Sequence, residues 1–136
     1  MTRILIIKLS ALGDVLRTTC ILSGLHEKYP ESSITWLTSK SATDLLRDNT
    51  LIDRLVVFND AIALNLVRES FDLVISLEDS PTSCHFAGQL KSKEFFGVYA
   101  NKGGTFYSAN SAQWFDMSLV SRYGKTKADE LKKENL

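Results

Sequence analysis

Cysteine, histidine and proline are all scarce in this chain, with two of each among 136 residues. Cys20 and Cys84 stand far apart with no Cys-x-x-Cys pair, which excludes a disulfide framework and a zinc site of the usual spacing. Excess charge of either sign is also missing. Sixteen basic residues cancel sixteen acidic ones, so there is no broad electrostatic footprint for nucleic acid or an anionic membrane. No apolar run approaches the roughly 20 residues that span a bilayer. The opening MTRILIIKLS lacks the long apolar region and small-residue cleavage site of a signal peptide. The glycine signatures of phosphate binding are absent too. The turn after the first apolar run holds only Gly13, where a phosphate loop needs a Gly-Lys-Ser/Thr ending and a dinucleotide turn needs three glycines. The expectation is a cytoplasmic protein without a nucleic-acid partner.

What is present is strand and helix in alternation. Hydrophobic residues at 44% and charged residues at 24% suit a globular domain, and the length suffices for a sizeable core. RILIIKL reads as a continuous apolar strand of the kind covered on both faces of a parallel sheet. Gly13 to Lys28 reads as one helix with Val15, Thr19, Leu22, Leu25 and Tyr29 on a single stripe, ended by Pro30. Cys20 lies inside that pattern and reads as a small buried hydrophobe. SITWLTS, RLVVF, FDLVISL and KEFFGVY are four further strands. Between them come a short helix through Ala42, Leu45 and Leu46, a helix over AIALNLVRES, and a short one around His85 to Leu90 after Pro81. Such units imply right-handed crossovers and an α/β, Rossmann-like, doubly wound, mainly parallel sheet with the first strand near its centre. ANKGGTFYSANSAQ reads as a connecting loop turning at Gly103–Gly104. Beyond it, WFDMSLVSRYG and KTKADELKKENL have helical patterns. The division expected is a Rossmann-like domain over 1–110 and a helical extension over 111–136. No repeat or low-complexity segment appears.

In an open parallel sheet, ligands collect at the carboxyl ends of the strands, beside the switch in strand order. The turn KLSALGD leaves the first strand at that edge and brings Asp14 to the start of a helix. Taken alone, Asp14 reads as a helix cap that complements the dipole. It also has the chemistry of a general base, a carboxylate over a cleft that accepts a proton from a bound hydroxyl. Lys8 and Arg17 flank the turn and can pair with phosphate or carboxylate groups of a ligand; surface solvation is the plainer reading of Arg17. Glu78, Asp79 and Ser80 end the fourth strand at the same edge, as cleft residues or as caps of the helix after Pro81. His85 could face that cleft but fits a structural role, and His26 reads as solvent-facing. Trp36 and Trp114 are most simply core or interface aromatics.

The string RILIIKLSALGDVLRTTCILSGLHEKYPESSITWLT resembles the opening of the ADP-heptose:lipopolysaccharide heptosyltransferases, glycosyltransferase family 9. The match rests on Lys8, Ser10, Gly13, Asp14 and Val15 in the turn, with Pro30, Ile34 and Trp36 beyond it and FDLVISLED as a later strand. The resemblance covers essentially all of this chain but only the first half of a family member. It implies the N-terminal, acceptor-binding domain of a GT-B glycosyltransferase, which faces a donor-binding domain across a cleft. It implies inverting transfer of a heptose from ADP-heptose to a lipopolysaccharide core acceptor, with no essential metal or other cofactor. Asp14 corresponds to the expected catalytic base. Acceptor binding is expected at Lys8, Ser10, Gly13, Arg17, Asp79 and Ser80, and peripheral contact with the inner membrane belongs to the same expectation. Ala11 departs from the family pattern, standing where many members have a second serine. The donor-binding half has no counterpart in the sequence, so a piece ending at a domain boundary, inactive alone, is expected.

The rival class is a non-catalytic module, a receiver-like domain or a stand-alone α/β binding domain. A receiver needs acidic residues after its first strand, an aspartate after its third and a lysine after its fifth. Here those strands end in Lys8 and Ser10, in Phe58, Asn59 and Asp60, and in Val98, Tyr99 and Ala100. Asp60 alone cannot build a magnesium site.

Overall fold

The computed structural model describes residues 1–115. Six strands form one sheet: β1 Thr2–Ile7, β2 Ser32–Thr38, β3 Arg54–Val57, β4 Ser70–Ser76, β5 Lys91–Asn101 and β6 Gly104–Tyr107. Their order is β3-β2-β1-β4-β5-β6. The first five run parallel and β6 returns antiparallel to β5. Five helices connect them: α1 Leu12–Thr18, α2 Ile21–Lys28, α3 Thr43–Leu46, α4 Asp60–Arg68 and α5 Pro81–Ala87.

The apolar run of β1 dictates this architecture. Side chains alternate across a strand, so ILII sends two residues to each face and each pair needs a cover. Ile4 and Ile6 enter a cluster with Ile34, Trp36, Val15, Leu22 and Leu46, beneath α1, α2 and α3. Leu5 and Ile7 enter a second cluster with Leu37, Val74, Leu66 and Phe86, beneath α4 and α5. All four β1 residues are fully buried, and β1 pairs with β2 on one side and β4 on the other. The sheet is therefore doubly wound around β1, as expected.

Two stretches differ from the sequence reading. The single helix expected over Gly13 to Lys28 is broken into α1 and α2 at Thr19–Cys20. Thr18 and Thr19 explain the break. Their hydroxyls donate back to the carbonyls of Asp14 and Leu16, each at 2.6 Å, and compete with the helix ladder. The following amides then bond three residues back, Thr19 to Leu16 and Cys20 to Arg17. The bend turns Cys20 outward, so it is exposed and not the buried hydrophobe expected. The segment read as a loop after β5 is instead a hairpin. Gly104 supplies a φ of +128°, and Asn101 Oδ1 accepts from the Gly103 amide at 2.7 Å. Thr105, Phe106 and Tyr107 then extend as β6, with Tyr99 and Phe106 packed at 5.8 Å between ring centroids. Glycine and serine content hid three good strand formers.

Trp36 is fully buried in the first cluster, and Trp114 packs partly buried against it, which bears out the core reading of both. His26 is half-buried, its Nε2 2.9 Å from the Leu51 carbonyl, and so is not solvent-facing. The helix expected from Trp114 onward begins at residue 112; residues 112–115 are helical and the rest of that stretch lies outside the described residues, as does the stretch read as a charged C-terminal helix. No helix among the described residues is long and apolar enough to cross a membrane.

Candidate functional site

The strand order reverses between β1 and β4, where the chain has gone out to β3 on one side and resumes on the other. The loops leaving these two strands diverge over opposite faces, the place in an open sheet where ligands collect. Lys8, Leu9 and Ser10 leave β1 there, and Leu77 to Ser80 leave β4.

Glu78 holds the two loops together. Its side chain is only 7% exposed, and Oε1 lies 3.4 Å from the Lys8 ammonium. The same oxygen accepts the backbone amides of Leu9 and Ser10, each at 3.2 Å, while Oε2 lies 3.5 Å from the Ser10 hydroxyl. Its backbone carbonyl accepts from Ser83 Oγ at 3.0 Å and from Cys84 Sγ at 3.5 Å. A buried carboxylate is tolerated because each oxygen has donors. Lys8 also donates to the Leu77 carbonyl at 3.2 Å. The third wall comes from β2. Ser39 Oγ donates to the Leu9 carbonyl at 2.6 Å, and the buried indole of Trp36 donates to the Lys8 carbonyl at 3.2 Å.

Asp14 occupies the first turn of α1, where its charge complements the helix dipole. It is not the cap: Ala11 holds that position, with no side-chain hydrogen bond to the helix. Its carboxylate is about half exposed and pairs with Arg17 one turn on, a surface ion pair. Gly13 is exposed, and a methyl group added there would meet nothing within 4 Å beyond its chain neighbours and its own helix backbone. Nothing inside the described fold requires glycine at this position.

The sequence candidates thus separate into groups. Ser10, Gly13 and Asp14 lie together on the segment leaving β1, with Arg17 held on Asp14. Lys8 comes to the same edge, but its ammonium is engaged with Glu78. Asp79 is exposed at the end of β4. Ser80 caps α5, accepting from the Ser83 amide at 3.4 Å, with Pro81 following in the first turn. His85 is exposed and bonded to Gln89 at 2.9 Å. Burial first, then the charges of Asp79 and Glu78, push the Cys84 thiol above its ordinary value and keep it an unreactive thiol. Sequence reading grouped Glu78 with cleft residues and caps, and missed it as the buried partner of Lys8. A charged residue directly after each of two apolar strands that flank the switch point was the available signal.

At the carboxyl end of β3, Asn59 caps α4 by accepting from Ile62 at 2.9 Å, and Asp60 is the exposed first residue of that helix. Among the described residues no three His, Cys, Asp or Glu side chains gather as a metal-binding group. A receiver's acidic pocket therefore has no counterpart in the described part.

Solved structures share this fold. A family 9 glycosyl transferase from Veillonella parvula superposes with a TM-score of 0.64 at 24% identity, over 72% of this chain and 32% of that one. The E. coli heptosyltransferase WaaC, solved with ADP, superposes with a TM-score of 0.62 at 19% identity, over 71% and 35%. E. coli ADP-heptose lps heptosyltransferase II gives 0.55 at 21% identity, over 64% and 28%. The chain spans about a third of the length of these proteins, and at such identities the likeness is one of fold. No family model and no curated protein matches the chain.

Proposed function

We propose that this chain is the acceptor-binding part of a heptosyltransferase-like glycosyltransferase, which moves a heptose from ADP-heptose to a lipopolysaccharide core acceptor. One observation carries the reading. Asp14 stands half-exposed in the first turn of α1, at the carboxyl edge of the central strand, in a fold shared with three solved glycosyltransferases. WaaC has also been solved with ADP-2-deoxy-2-fluoro heptose, which supports a nucleotide-sugar donor.

In this reading Asp14 takes the proton from an acceptor hydroxyl as that oxygen attacks the sugar. A positioned carboxylate contributes about 10²–10⁴-fold in rate to such a step. Arg17 orients the carboxylate. Ser10, Gly13 and Asp79 present polar, uncrowded surface to the acceptor, while Lys8 and Ser80 act from beneath by holding the two loops. The donor would bind on a second wall, supplied by the part of such enzymes that this chain does not span. The protein would work at the inner face of the inner membrane, where the acceptor's lipid is anchored.

The test is sugar transfer by the complete enzyme with Asp14 replaced. Asp14→Asn removes the base and leaves the size unchanged, so kcat should fall by about 10²-fold or more. Turnover within threefold of the parent would remove Asp14 from the chemistry. The 136-residue chain alone should bind ADP-sugars only feebly in calorimetric titrations. Micromolar affinity would place the donor site on this part.

A further inference from the structure

We propose that Glu78 is a positioning residue: it joins the loops after β1 and β4 into one unit and thereby sets where α1 begins and where Asp14 stands. The inference rests on the reading of Asp14 as the base.

Loops that leave neighbouring parallel strands over opposite faces diverge, so the sheet's own hydrogen bonds do not carry past the strand ends. Here one residue spans the gap in both directions. The Glu78 side chain accepts two successive amides of the first loop, Leu9 and Ser10, at 3.2 Å. Its main-chain carbonyl accepts Ser83 Oγ and Cys84 Sγ from the second helix, α5. Two successive amides aimed at one oxygen restrict the dihedrals between them, and α1 starts only two residues after Ser10. A misplaced first turn would carry Asp14 with it.

Stability alone does not account for the choice of residue. An apolar pair in place of Lys8 and Glu78 would pack a buried crevice at least as well. What an apolar side chain lacks is an acceptor for the Leu9 and Ser10 amides. The Lys8 ammonium offsets the buried charge at 3.4 Å and, bonded to the Leu77 carbonyl, ties the first loop to the end of β4 a second time.

The test compares Lys8→Met/Glu78→Met with Lys8→Met/Glu78→Gln. Both variants remove the two charges together, so no unpaired ion remains to unfold the chain. Hydrogen exchange on the 136-residue chain should quicken by about tenfold or more at the Leu9 and Ser10 amides, with Ile4 to Ile7 unchanged. In the complete enzyme kcat should fall about tenfold or more, because small misplacements of a reacting group are costly, while KM for the donor holds. Lys8→Met/Glu78→Gln keeps an acceptor oxygen and should recover part of both losses. Unchanged exchange at Leu9 and Ser10 overturns the proposal, as does faster exchange with unaltered turnover. Turnover preserved in Asp14→Asn refutes the role given to Asp14, and the exchange rates then decide the anchoring by themselves.

Discussion

The two ends of the sheet use the same kinds of charge in opposite ways. At the amino end, Glu69 pairs with Arg3 at 2.7 Å and Arg54 at 3.0 Å, and Asp72 with Lys93 at 3.3 Å. Asp72 also accepts the Arg3 amide at 2.8 Å, and the Arg3 guanidinium lies 5.2 Å from the centre of the Phe71 ring. Every partner there is partly exposed, from 26% for Glu69 to 82% for Lys93. At the carboxyl end, Lys8 and Glu78 are 14% and 7% exposed, and the carboxylate binds main chain as well as its counter-ion. Water screens the first set, so each pair contributes little. The second set is shielded, and either partner left alone is expensive. Charges at the amino end decorate strand starts that the sheet already fixes. Those at the carboxyl end determine the path of chain that the sheet no longer controls.

This contrast predicts a graded series of effects. The largest belongs to the carboxyl end, at Gly97. Its φ is +124°, and an added methyl carbon would sit 1.8 Å from the carbonyl oxygen of Ser76, the last residue of β4. Gly97→Ala should lose more than about 4 kcal/mol in urea unfolding, or fail to fold. A stable variant would mean that β4 and β5 can part at this end. Next comes Lys8→Met, which leaves Glu78 buried without its ammonium and should cost about 3 kcal/mol. A loss under about 1 kcal/mol would put this pair in the same class as the exposed ones and erase the distinction between the ends.

The amino end should respond weakly. Glu69→Gln removes the carboxylate shared by Arg3 and Arg54, and about 1 kcal/mol or less should be lost. The loss should shrink further when the denaturation is repeated in molar salt, since screened surface charges feel each other less. A larger and salt-independent loss would show this network to be as shielded as the other. The smallest effect concerns pH. The hydrogen bond from the Arg3 amide, then that from Lys93, holds the Asp72 carboxyl below its ordinary value. A depressed carboxylate stabilises the fold fully above its unfolded pKa, about 3.9, and that contribution fades as pH falls through the lower folded value. Asp72→Asn should therefore lower stability slightly at neutrality, with the difference from the parent closing as pH falls below about 4. Thermal melts from pH 2 to 7 would check this, and a difference that persists undiminished at pH 2 would contradict it.

Legibility in the sequence follows the same division. All five parallel strands were readable from their apolar runs, most plainly β1, where a stretch buried on both faces must be apolar throughout, as ILII is. The break between α1 and α2 was not, because it depends on two threonine hydroxyls choosing backbone carbonyls over water. The β6 strand was hidden by glycines and serines whose part is to make the turn. At the site, Asp14 stood out through its place after the first strand, and Arg17 through its place one turn later. Asp14 turned out to lie inside the first turn while Ala11 holds the cap position, a difference of three residues that composition does not resolve.

By itself, then, the sequence determined the succession of the five parallel strands, the two-faced burial of β1 and the position of Asp14 at a strand-to-helix turn. These follow from local periodicity and from the rule that apolar surface must be covered. Only the tertiary structure decided that Lys8 meets Glu78 across 70 residues of chain, that Cys20 faces water while Cys84 does not, and that a segment read as a connecting loop adds a sixth strand. The first depends on distant groups coming within hydrogen-bond reach, about 3 Å, once β1 and β4 lie side by side, and the other two on side-chain and turn hydrogen bonds that composition does not reveal.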